Sequence, residues 1–206
     1  IKGEYIELID LALRSKWDTT LIASEIRNTV IPYLIDNKAR NLILELLNVT
    51  MSHKKTENIL EFNSLMGDYW FHDALRNYTD AIAELCGVDA ARIAVKKIED
   101  VIEIDKRQFN QTIIPTIEDG PQILFPDRYE CQLVLFVRKI LEKVDPQNTR
   151  SFVIELIRKD HPIFKRIAIH TINCHYPKLE DLFWDWEGNP LELSLIHISE
   201  PTRQAE

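Results

Sequence analysis

Apolar and polar positions alternate with a helical period along nearly the whole chain. In residues 4–15 the side chains of Tyr5, Leu8, Ile9, Ala12 and Leu13 fall three and four apart, which predicts an amphipathic helix that buries this face. Asp18, Thr19 and Thr20 are suited to cap a helix over about 20–35, because short oxygen side chains accept from orphan backbone N–H groups. Pro32 falls inside that pattern and should kink or shorten it. Asn37 is a second cap candidate, ahead of the apolar set Leu42, Leu46, Leu47 and Val49, and the lysine-bearing stretch from Ser52 to Asn58 reads as a loop.

Asp68 opens a strong helix with Phe71, Leu75, Tyr78, Ile82 and Leu85 on one face, and Gly87 is placed to stop it. Asp89 can cap the next helix, in which Ala91, Ala94, Ile98, Val101 and Ile102 face inward. From Arg107 to Phe125 the pattern loosens around Pro115, Gly120 and Pro121; Thr112 to Ile114 suits an extended segment, but no second strand is evident to pair with it. The stripe sharpens again over 127–144, with Tyr129, Leu133, Phe136, Val137, Ile140, Leu141 and Val144. Asp145-Pro146 and Asp160-His161-Pro162 each end one helix and start another, since proline is welcome in a first turn. Phe152, Val153, Leu156 and Ile157 line the first of these, and Phe164, Ile167, Ala168, Thr171 and Ile172 the second. Pro177 breaks the pattern once more, before Leu179, Leu182, Phe183 and Trp186.

Helices joined by short turns predict antiparallel pairs, and stacked pairs make an all-α, HEAT/armadillo-like solenoid. No strict motif recurs at about 34 or 40 residues, so the expected solenoid is irregular, with a compact helical bundle as the alternative. The expected organisation is an N-terminal set of helical repeats over 1–125, a second set over 126–192 and a distinct tail over 193–206.

Composition narrows the function classes. Five glycines in 206 residues argue against a glycine-rich phosphate loop and against a turn-rich β fold. No GxxxxGK[ST], GxSxG or HExxH pattern occurs. The longest apolar runs, such as Leu133 to Val137, are far too short to span a bilayer, so no membrane is expected. Cys86, Cys131 and Cys174 are odd in number and widely spaced, which favours a reducing, cytoplasmic setting over a disulfide framework. The sequons at Asn48, Asn77 and Asn110 read as chance, Asn77 lying in mid-helix.

The tail changes the charge arithmetic and the boundary. Eleven consecutive residues, Leu193 to Arg203 (LSLIHISEPTR), match the translation of a common transposase sequencing adapter, so residues 193–206 are expected not to be native. With Ile1 in place of a methionine, the chain reads as a fragment of a longer protein. Setting aside the tail removes Glu200, Glu206 and Arg203 and moves the formal net charge from −8 to −7. That mildly acidic body argues against a general nucleic-acid binder, which carries a basic face.

Candidate chemistry is sparse. His161, His170, Cys174 and His175 form the one tempting ligand cluster, with His170 and Cys174 four apart on one helix face. A metal needs three or four ligands and no second cluster supplies the rest, so packing is the preferred role and no metal is expected. The acidic pairs Glu99-Asp100 and Glu103 with Asp105 suit a solvated helix face, with Lys96 and Lys97 as partners, better than general acid–base work. Tyr69-Trp70-Phe71 and Phe183-Trp184-Asp185-Trp186 cannot all face one core, which makes Tyr69, Trp70, Trp184 and Trp186 candidates for a protein-binding surface.

A set of motifs runs from Phe125 to Glu192. It comprises the run Phe125 to Val134 (FPDRYECQLV), then Val137-Arg138, Leu141-Glu142, the run His161 to His170 (HPIFKRIAIH), Asp181-Leu182-Phe183-Trp184 and Gly188-Asn189-Pro190-Leu191. This stretch, about a third of the chain, resembles the helical-repeat region of large bacterial proteins that carry a P-loop NTPase of the STAND type, many of them associated with antiviral defence. The resemblance marks Arg128, Tyr129, Arg138, Arg166, His170, Asn189 and Pro190 as structural motif positions. It implies a non-catalytic scaffold or sensor segment, which holds its NTPase inactive or recognises a foreign protein, in a parent that oligomerises. ATP and Mg²⁺ would belong to a domain upstream, and no cofactor to these residues. The competing readings are a helical enzyme with a metal or acid–base site near His161, His170 and Cys174, and a nucleic-acid-binding helical repeat.

Overall fold

A computed structural model of the chain describes residues 4–16, 18–55, 62–104 and 128–186. The segments expected to loosen around 107–125, the motif residues Asn189 and Pro190 and the whole of 193–206 lie outside the described residues. Within them the fold is all-α but for one short hairpin. The helices are α1 (Glu4–Leu13), α2 (Thr20–Glu25), α3 (Ile31–Asp36), α4 (Arg40–Thr50), α5 (Asp68–Cys86), α6 (Val88–Ile104), α7 (Tyr129–Lys143), α8 (Pro146–Ile157), α9 (Pro162–Cys174) and α10 (Tyr176–Trp184). Strands β1 (His53–Lys55) and β2 (Phe62–Ser64) pair antiparallel, with His53 opposite Ser64.

The helices pack by a simple rule. Counting α2 to α3 as one run, the substantial contacts fall between nearest and next-nearest helices in the chain. One row is α1, α4, α6, α8 and α10; the other is α2–α3, α5, α7 and α9. The most extensive packing is of α7 against α6 and α5. Its residues from Tyr129 to Val134 are all buried, and Phe136, Val137, Arg138, Ile140 and Leu141 follow. A helix buried on all but one edge is a core helix. A single apolar core runs from Ile6 to Leu182.

Most of the helical stripes fall where the spacing predicts. Phe71, Leu75 and Ile82 are buried in α5, Ala91, Ala94, Ile98 and Val101 in α6, and Phe164, Ile167, Ala168, Thr171 and Ile172 in α9. Asp145 caps α8 by accepting from the Gln147 N–H at 2.8 Å. The cap of α9 is His161 rather than Asp160: its Nδ1 accepts from the Ile163 N–H at 3.3 Å. Burial holds the His161 pKa below its ordinary value, which keeps that nitrogen available as an acceptor.

Four local expectations are corrected. In α1 the buried residues are Ile6 and Leu13, with Ile9 packed on the core, whereas Tyr5, Leu8 and Leu11 are exposed. Apolar residues occupy more than half of this helix's circumference, so spacing alone does not choose the buried side. Asn37 does not cap α4; it ends α3, where its Nδ2 donates to the Tyr33 carbonyl at 2.8 Å. The stretch expected as a loop contributes β1, stitched to the end of α4 by the Leu65 N–H to Ser52 carbonyl bond (2.9 Å) and by Ser64 Oγ to the Thr50 carbonyl (2.9 Å). Buried Phe62, Leu65 and Met66 anchor the second half of this hairpin. Lys97 is buried, its Nζ donating to Ser52 Oγ at 3.1 Å, and Glu99 pairs instead with Lys159.

Pro32 acts through a π-helical turn. Residues Ile26–Val30 widen the helix, and the Ile31 N–H donates to the Ile26 carbonyl five residues back. The wider turn accommodates the proline ring and its missing N–H, so the helical run bends its ladder without stopping.

Two backbone positions govern the tight connections. Gly87, at φ +57 and ψ −141, is the single residue between α5 and α6, and its N–H donates to the Ala83 carbonyl at 2.9 Å. This region of conformational space is nearly exclusive to glycine. Lys38, at φ +51, carries a side chain in the left-handed region between α3 and α4. In urea titrations Gly87→Ala should destabilise the protein by about 1–3 kcal/mol through backbone strain, because nothing lies near enough to clash with the added methyl group. Lys38→Gly should move the other way, with relief of the left-handed cost exceeding the entropy cost by about 0.5–1 kcal/mol.

Candidate functional site

The densest convergence of chemically capable side chains sits where α7 meets α9. The 3.6-residue helical turn brings His170 and Cys174 one above the other on α9, with Cys174 Sγ 3.4 Å from His170 Nε2. Glu142, on the solvent edge of α7, reaches the same nitrogen: its Oε1 lies 2.7 Å from His170 Nε2. Arg138, one turn earlier on α7 and buried, donates from Nε to that oxygen at 2.6 Å. Burial raises the Glu142 pKa, but the hydrogen bonds from Arg138 and His170, with their charges, outweigh it and hold the carboxyl below its ordinary value. The group is therefore an anion at neutral pH.

Glu142, His170 and Cys174 offer three ligand atoms that all lie within 4.8 Å of one another. His161 and His175 do not join them. His161 is committed to the N-terminus of α9, and His175 Nε2 donates to the Leu141 carbonyl at 2.9 Å. The third member of this donor group is therefore a residue the local spacing cannot reveal, 28 positions upstream of His170 and on a different helix. The nearest signal is that Glu142 closes the α7 stripe beside Leu141, within the same motif set.

Tyr129 is buried, donates its hydroxyl to the Met51 carbonyl at 2.5 Å and packs on Phe71, with ring centroids 5.8 Å apart. Burial drives its pKa upward, so it stays neutral. Arg128 reaches Glu130 at 3.3 Å, and Arg166 is half-buried on α9. Cys86 and Cys131 are buried thiols, pushed up to about 11 and about 12 by desolvation, which leaves Cys174 as the exposed cysteine.

The aromatic candidates divide. Tyr69 is 73% exposed and Trp184 is 70% exposed, whereas Trp70 packs on the core and Trp186 is half-buried. Trp184 Nε1 donates to the Tyr176 hydroxyl at 3.2 Å. Tyr69 lies on α5 and Trp184 on α10, two helices without substantial packing between them, so the four residues do not form one patch. Further exposed apolar residues, absent from the sequence-based candidates, lie on α1 and α2: Tyr5, Leu8, Leu11 and Leu21, the last 82% exposed.

No family model, no curated protein and no solved structure matches this chain. No helix among the described residues is long and apolar enough to cross a membrane.

Glu130 supplies a pH test of the α7 core. Its side chain is 8% exposed and its pKa is raised, first by desolvation, although Arg128 pulls the other way. A raised folded-state pKa adds stability that is full below the ordinary value of 4.5 and is lost as pH rises through the raised value. Glu130→Gln should therefore flatten the loss of stability on going from acid to neutral pH. Urea midpoints at a series of pH values check this, and parallel pH profiles for the two proteins would count against it.

Proposed function

We propose that this chain is a non-catalytic helical scaffold that works by binding protein, built as an irregular HEAT/armadillo-like solenoid. The observation that carries the reading is the set of exposed apolar side chains Tyr5, Leu8 and Leu11 on α1, together with exposed Leu21 on α2. Long apolar side chains grouped on a surface mark an interaction site, whereas scattered ones carry no such meaning. The packing rule supports the repeat architecture, since a solenoid is a structure in which each unit touches its neighbours along the chain.

A place in a STAND-type NTPase of antiviral defence or signalling belongs to the same proposal. It rests on the motif residues, and their contacts suit a repeat junction. Tyr129 joins α7 to the end of α4, and Arg138 and His170 meet on Glu142 between α7 and α9. In that setting the α1–α2 surface docks either on a neighbouring domain of the parent or on a foreign protein, and ATP and Mg²⁺ bind elsewhere in the parent. The reading assigns no nucleic-acid role to these residues.

Replacing Leu8, Leu11 and Leu21 together by Glu should leave stability within about 0.5 kcal/mol per site, because the side chains are exposed. A photo-cross-linking residue at position 8 should capture protein in a bacterial extract far more efficiently than one at exposed Arg158, and the triple substitution should abolish the difference. Equal capture at the two positions, or ATP turnover by the purified chain, would overturn the scaffold reading.

A further inference from the structure

We propose that Glu142, His170 and Cys174 form a transition-metal site, with Zn²⁺ the best fit, that staples α7 to α9. The inference is independent of the protein-binding reading. It begins with donor geometry. Tetrahedral zinc takes Cys sulfur at about 2.3 Å and His nitrogen at about 2.0–2.1 Å, which puts the two ligand atoms about 3.5 Å apart. Cys174 Sγ and His170 Nε2 are already 3.4 Å apart. The same bond lengths place a carboxylate oxygen about 3.3 Å from the nitrogen, so Glu142 Oε1 needs to withdraw from its present 2.7 Å by roughly half an ångström. The three atoms lie within 4.8 Å of one another, inside the range that small side-chain rotations close.

The electrostatics point the same way. An anionic carboxylate and a thiol converge on one imidazole nitrogen, and that nitrogen carries at most a single proton for both. A divalent cation at their centre satisfies all three ligands at once: binding releases the Cys174 thiol proton to solvent, and the resulting thiolate and the carboxylate balance the cation's charge. Nitrogen, sulfur and oxygen in one set select zinc and its neighbours over calcium and magnesium, which take oxygen ligands. Arg138 already fixes the carboxylate by donating to the same Oε1, the part that outer-shell residues play around bound metals.

Position completes the argument. His170 is largely buried, Glu142 is partly so and Cys174 is exposed, so the site has a dry back wall and an open front. Three protein ligands leave a fourth position on that open side for water. The cation joins next-nearest helices, two from one ligand pair on α9 and one from α7, so binding adds a cross-link between them.

Cobalt(II) titration of the whole, reduced chain tests this directly. A thiolate-to-cobalt charge-transfer band should saturate at one metal per chain and disappear on addition of one equivalent of Zn²⁺. Cys174→Ser should remove the band without harming the fold, since the thiol is exposed. His170→Ala and Glu142→Gln should each weaken binding by at least about tenfold, with circular dichroism confirming that each variant remains helical. Zinc should also raise the wild-type Tm, and not that of Cys174→Ser. No band in the wild type, or a band that survives in Cys174→Ser, would overturn the site.

Discussion

The packing of α7 sets the terms for every other element. Eleven of its fifteen residues are buried, which leaves Leu135, Lys139, Glu142 and Lys143 as the one edge that reaches toward solvent. A helix enclosed to that degree needs walls on several sides. α5 and α6 supply two, the β1–β2 hairpin closes its start through β2, and α9 covers the remaining flank. Burying a Leu- or Phe-sized side chain is worth about 1.5–3 kcal/mol, so the apolar face from Leu133 to Leu141 is the largest reason these helices stay together. The polar members of the set are handled individually. Arg138 is met by Glu142, and Tyr129 by the Met51 carbonyl, as burial of polar groups requires.

That enclosure explains why the functional candidates lie at the edges. Glu142 is available to His170 because it sits on the one open stripe of α7, and α9 approaches along that stripe. The core of α7 offers no comparable opportunity: Cys131 is as deeply buried as Leu133 and its thiol is held protonated. Apolar exposure, by contrast, collects on α1 and α2, where the stacking begins within the described residues. The packing rule places the protected cluster between the next-nearest helices α7 and α9.

Much of this was legible in the sequence because a strong stripe on a long helix has one solution. The apolar positions from Tyr129 to Val144 mark one buried side of α7 but not the burial of Glu130, Cys131, Gln132 and Arg138 around it, while the Gly87 and Asp145-Pro146 signals act within their own turns. Legibility fails where two answers compete locally. In α1 both sides are apolar, and the choice between Ile6-Ile9-Leu13 and Tyr5-Leu8-Leu11 depends on where α4 and α2 stand. Three-residue strands are too short to show an alternating pattern, and His53-Lys54-Lys55 contains no apolar residue at all. The candidate site was half legible: the His170–Cys174 spacing is local, but Glu142 joins through tertiary packing that no window around either helix contains.

The charged residues carry the last structural constraint. Arg27 pairs with Asp73, Arg40 with Asp89, Lys143 with Asp80, Arg92 with Glu155, Lys159 with Glu99 and Arg150 with Asp181. Every one of these pairs joins next-nearest helices within a row, or the turn that follows one, and the contact between Glu142 and His170 does the same for α7 and α9. Exposed ion pairs each contribute only about 0–1 kcal/mol, so their sum is a small part of the stability. Their placement is more informative than their strength. Interdigitated apolar side chains fix one register between packed helices, and the oppositely charged pairs at the rim agree with it. The core therefore both holds the rows together and sets how far along each helix its next-nearest neighbour sits, with the rim charges placed to match. The distance between Glu142 and His170 inherits that register, which is why a donor set drawn from two helices depends on the core packing between them.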